Sequence, residues 1–304
     1  IGTRIMTLQQ LRYVIAVAEN GTVSGAAKSL FISQPSLTNA IRELEKELQI
    51  NIFLRTNKGV VLSNEGSDFI GYARQIIEQA DLLEDKYINY KRHKKKFSVS
   101  TQHYSFAVNG FVDVIKEFGY DNYDFTLRET QTYEILQDVS QLKCEVGILY
   151  LSSENEKVIT KIMNENNLIF EEIVRAKPHI FISSKHPLAN NDIISFKDLE
   201  KYPFLQFEQG EYNSFHFFEE LYGNINREKT IKVRDRATLF NLAIGLNGYT
   251  ISSGIISKDL NGENIISRPL DADEEMRIGF VTHKNISLSN LALAYMEAVK
   301  KHCK

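Results

Sequence analysis

Three features of the 304-residue chain predict an α/β protein with a separate helical front end. Apolar residues recur at helix spacing through the first 48 positions, and a three-heptad stripe runs from Phe69 to Tyr90. From Phe97 onward short β-prone runs alternate with amphipathic helices. A composition of 43% hydrophobic and 25% charged residues leaves room for two or more domains.

The front end begins with Leu8, Leu11, Ile15 and Ala18, spaced as one helix face. Asn20-Gly21-Thr22 stops that helix and caps the next, whose inner face is Val23, Ala26, Ala27 and Leu30. The two alanines let another helix cross at close range. Ser33 then suits an N-cap and Pro35 a first turn, and Leu37, Ile41, Leu44 and Leu48 form the buried stripe of a third helix. Two helices joined by a tight turn, the second polar at its leading end, predict a helix-turn-helix.

Gln34, Pro35, Ser36, Thr38, Asn39 and Arg42 lead that third helix. Gln and Asn pair bidentately with adenine, Arg pairs with guanine, and hydroxyls suit phosphate or bases. Each is also an ordinary solvated helix residue; as a group they point to double-stranded DNA. Next, the runs Ile52 to Leu54 and Val60 to Leu62 flank Thr56-Asn57-Lys58-Gly59, a hairpin wing. Arg55 and Lys58 at its tip would meet phosphates. Charge agrees in sign: residues 1–96 carry a net +4 and the remainder −7.

Ser63 caps a long helix reaching about Tyr90. Phe69, Ala73, Ile76, Ala80, Leu83 and Tyr87 fall at a and d positions, which predicts dimerisation through this helix; packing on the chain's own later part is the alternative. The basic run 91–96, "KRHKKK", reads as a solvated hinge.

In the back two thirds, strands are expected at Phe97 to Ser100, Phe125 to Glu129, Val146 to Tyr150, Leu168 to Val174, His179 to Ser183, Phe204 to Phe207, Thr230 to Val233, Tyr249 to Ser252 and Met276 to Val281. Helices are expected at Phe106 to Phe118, Thr132 to Leu142, Ser214 to Leu221, Ala237 to Gly245 and Ser289 to Lys301. The alternation implies mostly parallel sheets, with ligands at the carboxyl ends of strands. Candidates there are Ser100, Thr101 and Gln102 in "STQHYS", Thr130 and Gln131 after the second strand, and Tyr150 ending the third. Gln206, Phe207 and Thr250 come from the other half; Thr101 and Gln102 suit a carboxylate, and His103 reads as a surface or capping histidine, with a ligand contact as the alternative.

Cys144 and Cys303 lack metal-ligand spacing and read as idle thiols in a reducing compartment. There is no phosphate loop, metal-ligand cluster or G-x-S-x-G elbow, so neither an enzyme nor a cofactor is expected. No apolar run approaches membrane length and no charged-then-apolar leader is present, so a cytoplasmic protein is expected; "IGTRI" before Met6 reads as a tag remnant.

"AAKSLFISQPSLTNAIRELEKEL" followed by "IFLRTNKGVVLSNEG" resembles the LysR-type bacterial transcriptional regulators, and the resemblance extends over residues 6 to 304. Ser36, Thr38, Asn39 and Ser63 depart from the residues usual there, whereas Arg55 matches the wing arginine. The resemblance implies a winged helix-turn-helix over 6–62 and a dimerising linker helix over 63–92. A periplasmic-binding-protein-like effector domain of two α/β subdomains follows the hinge 93–96, with subdomain I at 97–163 and 270–304 and subdomain II at 164–269. It further implies a homodimer or homotetramer, promoter DNA, a small-molecule effector in the cleft, and RNA polymerase as a partner. "TQ" after the first strand is similar to the sulfur-assimilation branch, implying an anionic effector of sulfur or amino-acid metabolism. A transport-type solute-binding protein is the alternative that the back two thirds alone would permit.

Overall fold

The computed structural model describes residues 6–56, 59–87, 95–119, 122–212, 214–257 and 262–303, with backbone alone at 82 and 85–87. The chain forms two compact units, residues 1–93 and 94–304. Among the described residues no helix is long and apolar enough to cross a membrane.

In the first unit, α1 (Leu8–Asn20) opens on a capping box in which Thr7 and Gln10 satisfy each other's backbone amides. It ends at Gly21, whose φ of +65° is the left-handed conformation a C-cap favours. Thr22 caps α2 (Val23–Ser29), and Ser33 caps α3 (Gln34–Leu48) by accepting the Ser36 amide at 3.2 Å. Val14 and Val17 meet Ala26, Ala27, Leu37, Ile41 and Leu44 in one core, and Leu11 is buried on the same helix. The α1 face is thus rotated from the expected one: Leu8 is 43% exposed, whereas Val14 and Val17 are buried.

Strands β1 (Phe53–Thr56) and β2 (Gly59–Leu62) pair antiparallel as the wing. Arg55 lies within β1 opposite Val60 rather than at the tip, and Lys58 falls outside the described residues. Helix α4 (Asn64–Tyr87) lies antiparallel along α1 through Arg12–Asp81 at 2.6 Å and Arg74–Glu19 at 3.4 Å. This divides the expected dimer stripe. Ala73 is 1% exposed in the unit's own core and Phe69 packs on that core, whereas Ile76 (41%) and Leu83 (62%) stay exposed. Ala80 is half-buried, and the Tyr87 side chain and Tyr90 lie outside what is described.

The second unit has two lobes. The first is a five-stranded sheet in the order β4-β3-β5-β12-β6. Its strands are β3 (Lys95–Thr101), β4 (Tyr123–Glu129), β5 (Val146–Leu151), β6 (Leu168–Ala176) and β12 (Met276–His283). Helices α5 (Ser105–Phe118), α6 (Thr132–Ser140), α7 (Glu156–Glu165) and α10 (Asn290–His302) accompany it. Lys95 and Lys96, expected in the hinge, are strand residues paired with Tyr123 and Asp124.

The second lobe holds the antiparallel sheet β10-β7-β11 and the parallel pair β8-β9. These are β7 (His179–Ser183), β8 (Phe204–Phe207), β9 (Thr230–Val233), β10 (Thr250–Ser252) and β11 (Ile265–Pro269), with helices α8 (Phe196–Leu199) and α9 (Arg236–Leu246).

Three expectations need correction. β6 pairs with β12 in the first sheet, so the first crossing between lobes falls after Ala176, not at 163–164. The sheets are not mostly parallel: β12 re-enters the first lobe from the second and runs against both β5 and β6, and β7 is antiparallel to both its neighbours. Ser214 to Leu221 is not a helix; only a 3-10 turn, Phe215–Phe217, forms there.

Close approach explains one glycine. A Cβ on Gly66 would sit 2.0 Å from the Ile52 carbonyl oxygen, a backbone atom that cannot step aside. Gly66→Ala is expected to destabilise the N-terminal unit by about 1–3 kcal/mol, read as a lower first transition in a thermal melt of the full chain.

Candidate DNA-binding surface and ligand cavity

On the first unit, Gln34, Pro35, Ser36, Asn39 and Arg42 are all exposed, because Leu37, Ile41 and Leu44 turn the opposite side of α3 into the core. Thr38 is half-buried, and its hydroxyl donates to the Gln34 carbonyl at 2.9 Å, leaving it as an acceptor towards outside groups. Ser36 shares a 2.7 Å hydroxyl bond with the capping Ser33. Arg55 is exposed on the wing. Sequence reasoning passed over Phe31, whose ring is 95% exposed in the turn leading into α3, on a backbone at φ +56°. It sets an apolar surface beside the polar leading end, of the kind that meets a thymine methyl.

In the second unit the candidate residues separate. Phe207 and Thr250 border a cavity; the other seven do not. Their polar groups are taken up inside the fold. Ser100 donates to Asp138 at 2.7 Å, and Thr101 donates to the Gln102 carbonyl at 2.8 Å. Gln102 donates to Thr132 at 2.6 Å and accepts from Tyr104 and from the Tyr150 amide. Thr130 donates to Glu134, Tyr150 donates to the Phe218 carbonyl at 3.0 Å, and Gln206 donates to the Gly223 carbonyl at 3.4 Å. Gln131 lies against Gly210.

The cavity is bordered instead by charged residues that the sequence reading did not single out: Glu219, Glu220 and Arg236, with His103. The rest of its lining is mostly apolar, Phe181, Phe207, Leu239, Phe240, Ile251, Ile255 and Ile256, with the hydroxyl-bearing Tyr104, Ser105, Thr250 and Ser252 among them. Its free space is ≈ 30 Å³, room for about two water-sized groups and well below a metabolite pocket of about 300 Å³ or more.

Two ion pairs join the lobes beside the cavity. His103, after β3, stacks flat on Phe207 at 3.7 Å and meets Glu219 through Nδ1 at 2.9 Å. Nε2 faces the Arg234 carbonyl at 3.2 Å. Acceptors at both ring nitrogens call for the doubly protonated imidazolium. Burial opposes that charge, but the Glu219 carboxylate, aided by Glu129 and the Arg234 carbonyl, outweighs it and raises the His103 pKa. Arg236, at the start of α9, meets Glu129, at the end of β4, at 2.7 Å. Gln209 adds a neutral link by accepting the Thr132 amide at 3.0 Å.

Glu220 has no such cation. Its Oε1 accepts the Phe207 amide at 2.9 Å, while Oε2 is buried with no hydrogen-bond partner among the described residues. Burial, then the neighbouring Glu219, push its pKa well above the carboxylate range, against smaller opposing effects of nearby backbone amides and Gln206. Arg236 Nη1 is likewise buried and unpartnered.

Comparison with known proteins matches residues 8–67 to the family described as "Bacterial regulatory helix-turn-helix protein, lysR family", and residues 103–304 to "LysR substrate binding domain". The HTH-type transcriptional regulator YvbU of Bacillus subtilis is 22% identical, covering 97% of this chain and 98% of that one. The RuBisCO operon transcriptional regulator of Allochromatium vinosum is 24% identical, covering 98% and 99%. The solved structure of a full-length OxyR variant from Pseudomonas aeruginosa shares the fold at a TM-score of 0.63 and 16% identity, covering 99% of this chain and 95% of that one.

His103→Ala would leave Glu219 buried without its cation, an expected loss of about 3–5 kcal/mol in the second unit. Since the folded pKa of His103 is raised above 6.5, the contribution is full below that value and is lost as pH rises through the folded one. The melting difference between wild type and variant should therefore narrow as pH is raised from roughly 6 to 9.

Proposed function

The chain belongs to the lysR family of bacterial regulatory helix-turn-helix proteins, and from that premise we propose how it works. It is a cytoplasmic transcriptional regulator whose α3 reads promoter DNA and whose cleft effector resets the DNA complex. The observation that carries the reading is the leading face of α3, where Gln34, Ser36, Asn39 and Arg42 are exposed and backed by a closed apolar core. Such a face presents amide and guanidinium groups to base edges without disturbing the fold, while Arg55 on the wing meets phosphate.

Two copies would bring two such helices to two half-sites. The exposed part of the α4 stripe, Ile76 and Leu83, with the exposed Tyr72 outside it, favours pairing of chains through that helix. In the second unit an effector larger than ≈ 30 Å³ must displace wall side chains or part the lobes, and parting them stretches or remakes the His103–Glu219 and Arg236–Glu129 pairs. Effector and DNA then influence each other's affinity by equal factors.

An anionic effector seated on Thr101 and Gln102, the expectation from sequence, is not favoured, because both side chains are engaged within the fold. Thiol-based sensing is not favoured either. Burial pushes both Cys144 and Cys303 up to about 12, where thiolate is scarce at neutral pH.

Genomic fragments retained by the full chain should define an operator. On it, Arg42→Ala is expected to weaken specific binding by about 1–3 kcal/mol in a shift assay at fixed salt, with the melting curve unchanged. Unchanged affinity would remove α3 from the groove. Leu83→Glu paired with Ile76→Glu should yield monomers in sedimentation; an intact dimer would move the interface elsewhere. A deproteinised low-molecular-weight extract should change the footprint of the wild-type complex.

A further inference from the structure

The charges around the cavity do not balance in pairs. Glu219 has His103 at 2.9 Å and Glu129 has Arg236 at 2.7 Å, whereas Glu220, 2% exposed, has a buried Oε2 with no partner among the described residues. On the same cavity Arg236 uses Nη2 on Glu129 and leaves Nη1 buried with no hydrogen-bond partner among the described residues. One unsatisfied acceptor and one unsatisfied donor therefore border a single small space, each costly to bury unless something completes it.

We propose that the cleft effector is a zwitterion of the aliphatic amino-acid class, its ammonium on Glu220 and its carboxylate on Arg236. The assignment deepens the effector reading above and rests on it. A simple anion satisfies Arg236 but brings no cation to Glu220. A simple cation satisfies Glu220 and leaves the guanidinium nitrogen bare. The walls, Phe181, Phe207, Leu239, Phe240, Ile251 and Ile255, offer an alkyl side chain apolar surface and no competing charge. The free space of ≈ 30 Å³ accommodates a charged head group, so the alkyl part enters by displacing wall side chains or widening the cleft.

Three five-carbon probes separate the possibilities on the full chain: L-norvaline, pentylammonium and pentanoate, each titrated against the melting of the second unit. L-norvaline is expected to raise the transition and to need at least a tenfold lower concentration for half its effect than either singly charged probe. Glu220→Gln keeps the bond to the Phe207 amide and the side-chain volume, and should weaken the L-norvaline response at least tenfold. Arg236→Lys, which keeps charge but loses the fork, should weaken it in parallel. A response to pentanoate equal to that of L-norvaline, an unaltered response in Glu220→Gln, or no response to L-norvaline overturns the proposal. The effector reading itself is judged by the extract footprint, and it survives if the extract remodels the complex while L-norvaline is inert.

Discussion

The second unit depends on opposite charges that meet across its two lobes in a largely water-excluded setting. Glu219 and Arg236 belong to the second lobe; His103 and Glu129 stand at the ends of β3 and β4 in the first. Side-chain exposures of 4% and 5% for His103 and Glu219 mean that their attraction is little screened. Removing one member leaves its partner as a buried, uncompensated charge, so these pairs add mutual dependence to the apolar core that both lobes share. The flat stacking of His103 on Phe207 fixes the ring plane that points both nitrogens at their acceptors.

The first unit rests on close approach. Ala26 and Ala27 let α2 lie near its neighbours, and Gly66 admits the Ile52 carbonyl. At Gly59, φ is +139° and a Cβ would meet the Gly21 carbonyl at 2.4 Å, so the wing strand abuts the α1–α2 turn. The Val60 amide donates to that same carbonyl at 2.9 Å. The wing is thereby tied to the helix-turn-helix, which gives Arg55 a defined position relative to α3. Such a core is small, and its tolerance for added volume is correspondingly low.

Local signals were legible, and long-range pairings were not. Caps at Thr22 and Ser33, the α3 stripe and the hairpin are written in neighbouring residues, and so they could be read. Periodicity gives a face without naming its partner. Leu11, Val14 and Val17 form a stripe adjoining the one inferred, and the first turns of α4 serve the unit's own core although they share the heptad pattern of Ile76 and Leu83. The membership of β6 and the direction of β12 depend on where the chain crosses between lobes, which no local spacing records. The cavity bordered by Phe207 and Thr250 was only partly legible for the same reason. Thr101 and Gln102 look free in a linear reading, but Thr132 and Tyr150 engage Gln102 from 30 and 48 residues away.

The misread segment 214–221 explains how the cavity acquires its carboxyls. The chain makes only the 3-10 turn Phe215–Phe217, is extended at Phe218 with ψ of 143°, and then bends at Glu219 and Glu220, both of which border the cavity. Adjacent buried carboxyls resist ionising together. Glu219 has His103 at 2.9 Å, whereas burial and then Glu219 push the Glu220 pKa well above the carboxylate range. A ligand ammonium beside Glu220 would supply a counter-charge and draw that pKa back down. The same step that fills the cavity thus changes its charge, and with it the balance of the pairs that hold the lobes together.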